Sequence, residues 1–363
     1  MILKNMRLIG ADMNFASDNA GPAAPEIMDA VVRANHGYQS SYGADGVMQS
    51  VRNRIRERFE APDAEIHLVA TGTAANALCL ACLCPPWGTV YCHRNSHVEE
   101  DECGAPEFYT GGAKLTLLEG AHARIDPAGL DAALRDAAPV GVHNVQKGAL
   151  TLTNATENGA VYDTGQLRQL TELAAAHEIP VHVDGARFAN AVAYLGCSPA
   201  ELSWKAGVKA LSLGGTKNGL LGVEAVVLFD PRHSWEFELR RKRGGHLFSK
   251  HRFLSAQMDA YLEGDLWLKL AGHANATARY LGEQISSCEN TAILHPVEAN
   301  MVFAEWPRRL HQAAYERGAG YYLWPHAQQL EGDPDKLLSA RLVCNWSTTE
   351  SEVDRFIEIL RRN

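Results

Sequence analysis

Along the chain, apolar runs of a few residues alternate with longer stretches in which apolar positions recur at helical spacing. The runs at 66–70, 89–92, 140–145, 149–153, 179–183, 208–213 and 224–229 predict buried strands, the last of them of antiparallel type. Amphipathic helices are predicted from about Pro25, over 47–59 and over 163–177, with an apolar helix following Thr71–Asn76. Beyond residue 250, helices at 253–263 and 266–286 lead to strands near 299–304, 321–324 and 340–344, the pattern of a smaller α/β unit. No internal repeat, low-complexity tract or long linker interrupts this order, and it divides into a large unit over 1–240 and a small one over 241–363.

Two punctuated stretches stand out. The run at 179–183 ends in Asp184-Gly185-Ala186-Arg187, and the run at 208–213 ends in Gly214-Gly215-Thr216-Lys217. In an open α/β sheet both would arrive at the carboxyl edge, where ligands bind. An acid at one strand end and a lysine at a later one is the arrangement that pyridoxal phosphate needs. The lysine holds the cofactor aldehyde as a Schiff base, and the carboxylate keeps the pyridine nitrogen protonated so that the ring accepts electrons. Taken singly, both are common: acids often follow strands, and glycine-flanked lysines are often plain loop residues.

Further upstream, Thr71-Gly72-Thr73 turns the strand at 66–70 into a helix, a place where backbone N–H groups and the helix dipole favour an anion. The segment His182-Val183-Asp184-Gly185-Ala186-Arg187-Phe188-Ala189-Asn190-Ala191 resembles the signature of the threonine aldolase family, within the aspartate-aminotransferase-like (fold type I) pyridoxal phosphate enzymes. Matching segments run in order from Ser17 to Arg341.

The resemblance implies a large domain with a mainly parallel seven-stranded sheet, a small C-terminal α/β domain, and pyridoxal phosphate bound to Lys217. It implies Gly72 and Thr73 as the phosphate cup and His97, in a His97-Glu102-Gly104 spacing, stacked on the pyridine ring. Asp184 would be the pyridine partner, and Ser17, Tyr42, Arg187 and Arg341 would surround the substrate, with Ser17 and Arg341 on its carboxylate and Arg187 on that carboxylate or a nearby cofactor oxygen. Tyr42-Gly43-Ala44-Asp45 departs from the family's pattern at Ala44, where an acid is expected. The basic stretch 240–252 resembles one that reaches the phosphate of a neighbouring subunit, with Lys250 or Arg252 in that role. This implies a homodimer or homotetramer with active sites at the subunit interface. Many members carry Glu-Asn-Thr-His-Asn near 154–158, the histidine serving the substrate β-hydroxyl. That position reads here as Ala155, which leaves His97, the cofactor phosphate or a water as the candidate base.

Composition narrows the alternatives. A net charge of -9 argues against a nucleic-acid surface, and 46% hydrophobic with 21% charged residues describes a globular protein. The first ten residues lack a signal-type apolar core, and the longest apolar run, near 77–83, is too short to span a bilayer, so the expected location is cytoplasmic. Cys79, Cys82 and Cys84 cluster in an apolar setting that reads as a buried helix end, and no metal is expected there. The expected activity is aldol cleavage of L-threonine or a related L-β-hydroxy-α-amino acid to glycine and an aldehyde. The rivals are β-elimination, hydroxymethyl transfer from serine, and a catalytically silent protein that kept the fold.

Overall fold

The computed structural model describes residues 12–137 and 141–362. The opening residues 1–10 and Val140 lie outside them. The strands are β1 (Met13–Asn14), β2 (Glu65–Val69), β3 (Gly88–His93), β4 (Lys114–Leu118), β5 (Gln146–Thr153), β6 (Val181–Gly185), β7 (Ala210–Leu213), β8 (Glu224–Leu228), β9 (Ala292–Ile293), β10 (Met301–Pro307), β11 (Ala319–Gly320), β12 (Tyr322–Leu323) and β13 (Leu337–Val343).

A seven-stranded sheet in the order β2-β8-β7-β6-β5-β3-β4 forms the large unit. The run from β4 to β7 is parallel, and β8 is antiparallel to both of its neighbours, β7 and β2. Strands β3, β6, β7 and β8 are buried at every position, as expected of a sheet covered on both faces. The helix Gly72–Leu83 is buried from Ala74 onward, all round rather than along one stripe, so it fills a layer of the core. The helix Thr164–Ala176 starts at a capping box in which Asp163 and Gln166 satisfy each other's backbone N–H groups.

One expectation is corrected here. The runs at 140–145 and 149–153 are not two strands: Gly141–His143 is a short 3-10 turn, Val142 is fully exposed, and a single strand spans Gln146–Thr153. Valines alone misled, because a run that leads into the exposed Gln146 and half-exposed Lys147 has no apolar face to bury against.

The small unit carries the sheet β12-β13-β10-β9, all antiparallel. Strand β1 pairs in parallel with β11, so the first described residues, Met13 and Phe15, pack into the core of the C-terminal sheet. The helix Leu266–Ser286 joins both cores: Trp267, Leu270 and Ala271 sit in the large one, and Ala278, Leu281 and Ile285 in the small one. The helix Arg252–Leu262 also packs in the large core, through Leu254, Met258 and Tyr261. The cleft between the units is therefore flanked by elements from both ends of the sequence.

Candidate active site

Register decides what the cleft receives. Thr153 on β5 pairs with Asp184 on β6, which pairs with Ser212 on β7, so these strands end together. The turn after β7, Thr216–Asn218, presents Lys217, half-buried, beside Asp184. Gly214 lets the two strand exits touch: a Cβ there would lie 2.3 Å from the carbonyl oxygen of Ala186. The lysine turn is also held from below, where Glu224 accepts the Gly215 N–H at 2.7 Å. Burial pushes the Glu224 carboxyl up to about 7.

Asp184 is buried and accepts hydrogen bonds from the Ala186 N–H at 2.9 Å and the Asn76 side-chain amide at 2.8 Å. Burial by itself would raise its carboxyl. The charges of His97 and Lys217, with the Ala186 N–H, outweigh that and hold it below the ordinary carboxylate value. Asn76 also donates to Glu102 at 2.8 Å, and Glu102 faces His97 Nδ1 at 2.9 Å. The chain Asp184–Asn76–Glu102–His97 thus ties the acid at the sheet edge to the imidazole above it. The Glu102 contact raises the His97 value against the opposing effect of burial. Behind Asp184, His182 bridges Thr151 Oγ1 (2.9 Å) and Ser212 Oγ (3.0 Å) across three strands. Burial lowers its value to about 4, so it is neutral at pH 7.

Arg187 leaves β6 on the same edge, but its fork grips Asp18 in a two-point contact, Nε to Oδ2 at 2.7 Å and Nη2 to Oδ1 at 3.0 Å. Asn300 adds a third hydrogen bond to Asp18. The Arg187 side chain is thus spent on Asp18, which explains how a cation is buried at this depth. Ser17 caps the 3-10 turn that carries Asp18, accepting from the Asn19 N–H at 3.2 Å. Arg341, midway along β13, has its guanidinium 4.8 Å above the Trp324 ring and 5.5 Å from that of Tyr322. Its Nε is buried without a hydrogen-bond partner among the described residues. Burial and the nearby charge of Arg187 lower its value.

Gly72 and Thr73 form the first turn of the helix, not a turn ahead of it; Thr71 is the cap, accepting the Ala74 N–H at 3.2 Å. The space over Gly72 is open, since an added Cβ would meet nothing within 4 Å. Within this chain the structure does not bring Tyr42, Lys250 or Arg252 to Lys217. Tyr42 donates its backbone N–H to Ser249, lies under Lys242 Nζ at 4.6 Å, and is half exposed. Arg252 bonds the Gly37 carbonyl at 2.8 Å. These residues form a patch of their own with the exposed Tyr38 and Phe248. A cavity of about 600 Å³ lined by Arg168, Lys205, Lys209 and Arg232 includes none of the residues around Lys217.

Sequence reasoning gave Asn76 no role, although a lone amide in an otherwise apolar, buried helix is a legible signal. Nothing local in the sequence marks Asp18 as the partner of Arg187, 169 positions away.

Residues 14–307 match the family described as Beta-eliminating lyase. The chain is 40% identical over 348 residues to the Low specificity L-threonine aldolase of Pseudomonas aeruginosa, covering 96% of each. It is 38% identical over 340 residues to a protein of the same name from a Pseudomonas species, covering 93% of this chain and 94% of that one. Among solved structures, that of Leishmania major threonine aldolase superposes with a TM-score of 0.88 at 24% identity, over 96% of this chain and 99% of that one. Relatedness of this degree over nearly the whole length settles the family: the protein belongs to the beta-eliminating lyases, among the fold type I, pyridoxal phosphate-dependent threonine aldolases.

Proposed function

We propose that the chain cleaves L-threonine, L-allo-threonine and phenylserine-like L-β-hydroxy-α-amino acids to glycine and an aldehyde, with Lys217, Asp184 and His97 as its catalytic core. The observation that carries this reading is the placement of a buried, charge-stabilised Asp184 and a half-buried Lys217 at adjacent strand exits, together with an Arg341 on β13 that lacks a hydrogen-bond partner at Nε among the described residues.

The residues present fit pyridoxal phosphate. Asp184 is a carboxylate held ionised in a buried site, as a protonated pyridine nitrogen requires. The open first turn at Gly72 and Thr73 offers backbone N–H groups to a phosphate. When bound, the cofactor supplies the sink for the electron pair released from the Cα–Cβ bond. Lys217 Nζ would hold its aldehyde carbon. His97 covers the ring face, oriented by Glu102. Arg341 holds the substrate carboxylate, with Tyr322 and Trp324 fixing its plane, and this sets which substrate bond stands across the ring. Arg187 and Ser17 line the same side through the Asp18 segment.

The patch of Tyr38, Tyr42, Phe248, Lys250 and Arg252 favours a homodimer or homotetramer in which Lys250 or Arg252 reaches the phosphate of the adjoining subunit. Among the described residues no helix is long and apolar enough to cross a membrane, and a cytoplasmic enzyme fits this.

The test is purified protein loaded with pyridoxal phosphate and supplied with L-threonine, phenylserine, L-serine or L-tryptophan. Aldehyde and glycine are expected from the first two, with neither product, nor the visible absorbance of the bound cofactor, in Lys217→Ala. Pyruvate from serine or tryptophan without aldehyde release would move the assignment to β-elimination.

A further inference from the structure

The proposed reaction removes a proton from the substrate β-hydroxyl, and the groups already described are poorly placed to take it. Asp184 is buried with its oxygens on Asn76 and Ala186. Both Asp18 oxygens are committed to Arg187. Glu102 uses one oxygen on Asn76 and His97, and the other is buried. His97 has its Nδ1 on Glu102, and that contact makes it hold its proton more tightly.

Glu224 is buried beneath the lysine turn with its carboxylate on the Gly215 N–H, and a further carboxylate lies on the turn after β5. The turn after β5 is pinned on both sides of its tip. Asn154 donates its backbone N–H to the Asp184 carbonyl at 3.0 Å and brackets the Tyr162 backbone with its amide. Thr156 bonds the His122 carbonyl through its hydroxyl at 2.8 Å and the Ala160 carbonyl through its N–H at 2.8 Å. Ala155 points into the large core at 2% exposure and cannot face a substrate. The half-exposed tip is Glu157 and Asn158. The Glu157 charge acts on His97 in the large unit, on Arg187 at the β6 exit and on Arg341 in the small sheet, three residues on three elements. Its carboxylate makes no hydrogen bond or ion pair among the described residues.

We propose that Glu157 is the catalytic base of this chain, accepting the β-hydroxyl proton as the Cα–Cβ bond breaks. This rests on the aldolase reading. The O–H bond breaks and its proton passes to the Glu157 carboxylate, while its electron pair becomes the new C=O π bond of the departing aldehyde. The Cα–Cβ pair stays with Cα, a proton from solvent completes glycine there, and Glu157 gives its proton up to solvent, so none is gained or lost overall. Anchoring of Asn154 to the Asp184 carbonyl couples the base to the strand that carries the cofactor partner.

Glycine has no β-hydroxyl, which separates this role from a general one. The experiment compares wild type, Glu157→Gln and Glu157→Asp, each loaded with pyridoxal phosphate. It measures aldehyde release from L-threonine, exchange of the glycine Cα hydrogens with D₂O by NMR, and the glycine dissociation constant. For Glu157→Gln, aldehyde release is expected to fall on the order of 10²–10⁴-fold. Glycine exchange and affinity should stay near wild type. Glu157→Asp should restore part of the rate. A fall in aldehyde release of less than about tenfold, or a parallel fall in glycine exchange or affinity, would overturn the role. Wild type that exchanges glycine yet releases no aldehyde, or does neither, would instead overturn the aldolase reading, and the base with it.

Discussion

Asp184 has its ionisation set by its neighbours: burial opposes the charge, while His97, Lys217 and the Ala186 N–H sustain it. Asp184→Asn keeps the shape and removes that charge, so the pyridine nitrogen loses the partner that makes the ring an electron sink. Turnover of L-threonine is expected to fall on the order of 10²-fold or more, with the cofactor still bound. Steady-state kinetics with the visible spectrum of the variant check this, and an unchanged kcat would remove Asp184 from its role. Asp184 and Lys217 were legible as sequence because each follows an apolar run. Glu157 was not: the reading fixed on Ala155, and only the turn's anchoring shows which side chain faces out. Arg187 was legible as a functional cation, but its grip on Asp18 depends on the chain's first described turn folding back under β6.

Between elements, the tight contact is the one at the exits of β6 and β7. Gly214 sits against backbone that belongs to the neighbouring strand, so no side-chain movement can relieve an added methyl. Gly214→Ala is expected to cost about 1–3 kcal/mol of stability and to push the Lys217 turn off its seat on Glu224. The readout is cofactor occupancy together with the urea midpoint; full occupancy at wild-type stability would show that the contact gives way freely. Strands β2, β3 and β5 to β8 and the helices Pro25–Ala34, Gly46–Arg58, Gly72–Leu83 and Thr164–Ala176 followed from apolar patterning, whereas β4 and the helices Pro127–Asp136, Phe188–Leu195 and Ser234–Arg243 did not. The brief strands β1, β9 and β11 did not, because two residues carry no period and owe their form to the strand beside them; β12 lies within the expected run at 321–324.

On the scale of the molecule, buried histidines make the fold sensitive to acid. His182, His251 and His311 are each lowered to about 4, first of all by burial. Their unfolded values lie near 6.5, so the unfolded chain takes up these protons first. The stability they protect is complete above that pH and is lost as pH falls from 6.5 towards 4. His182 alone contributes up to about 3 kcal/mol to this loss. Urea unfolding at pH 7 and pH 5 is expected to show a clearly lower midpoint at pH 5, whereas coincident midpoints would mean that these rings are reached by water.

The sequence by itself determined the alternation of strand and helix in the large unit, the Asp184 and Lys217 pair, and the class of chemistry that such a pair serves. Those features are local: an apolar run, a glycine turn and a reactive side chain lie within a dozen residues of one another. Tertiary structure alone decided the rest. It placed Asn76 between Asp184 and Glu102, turned Arg187 onto Asp18, wove Met13 and Phe15 into the C-terminal core, and left Glu157 facing two arginines and a histidine. Each of these joins residues far apart in sequence, and their meeting depends on register and packing that no local pattern encodes.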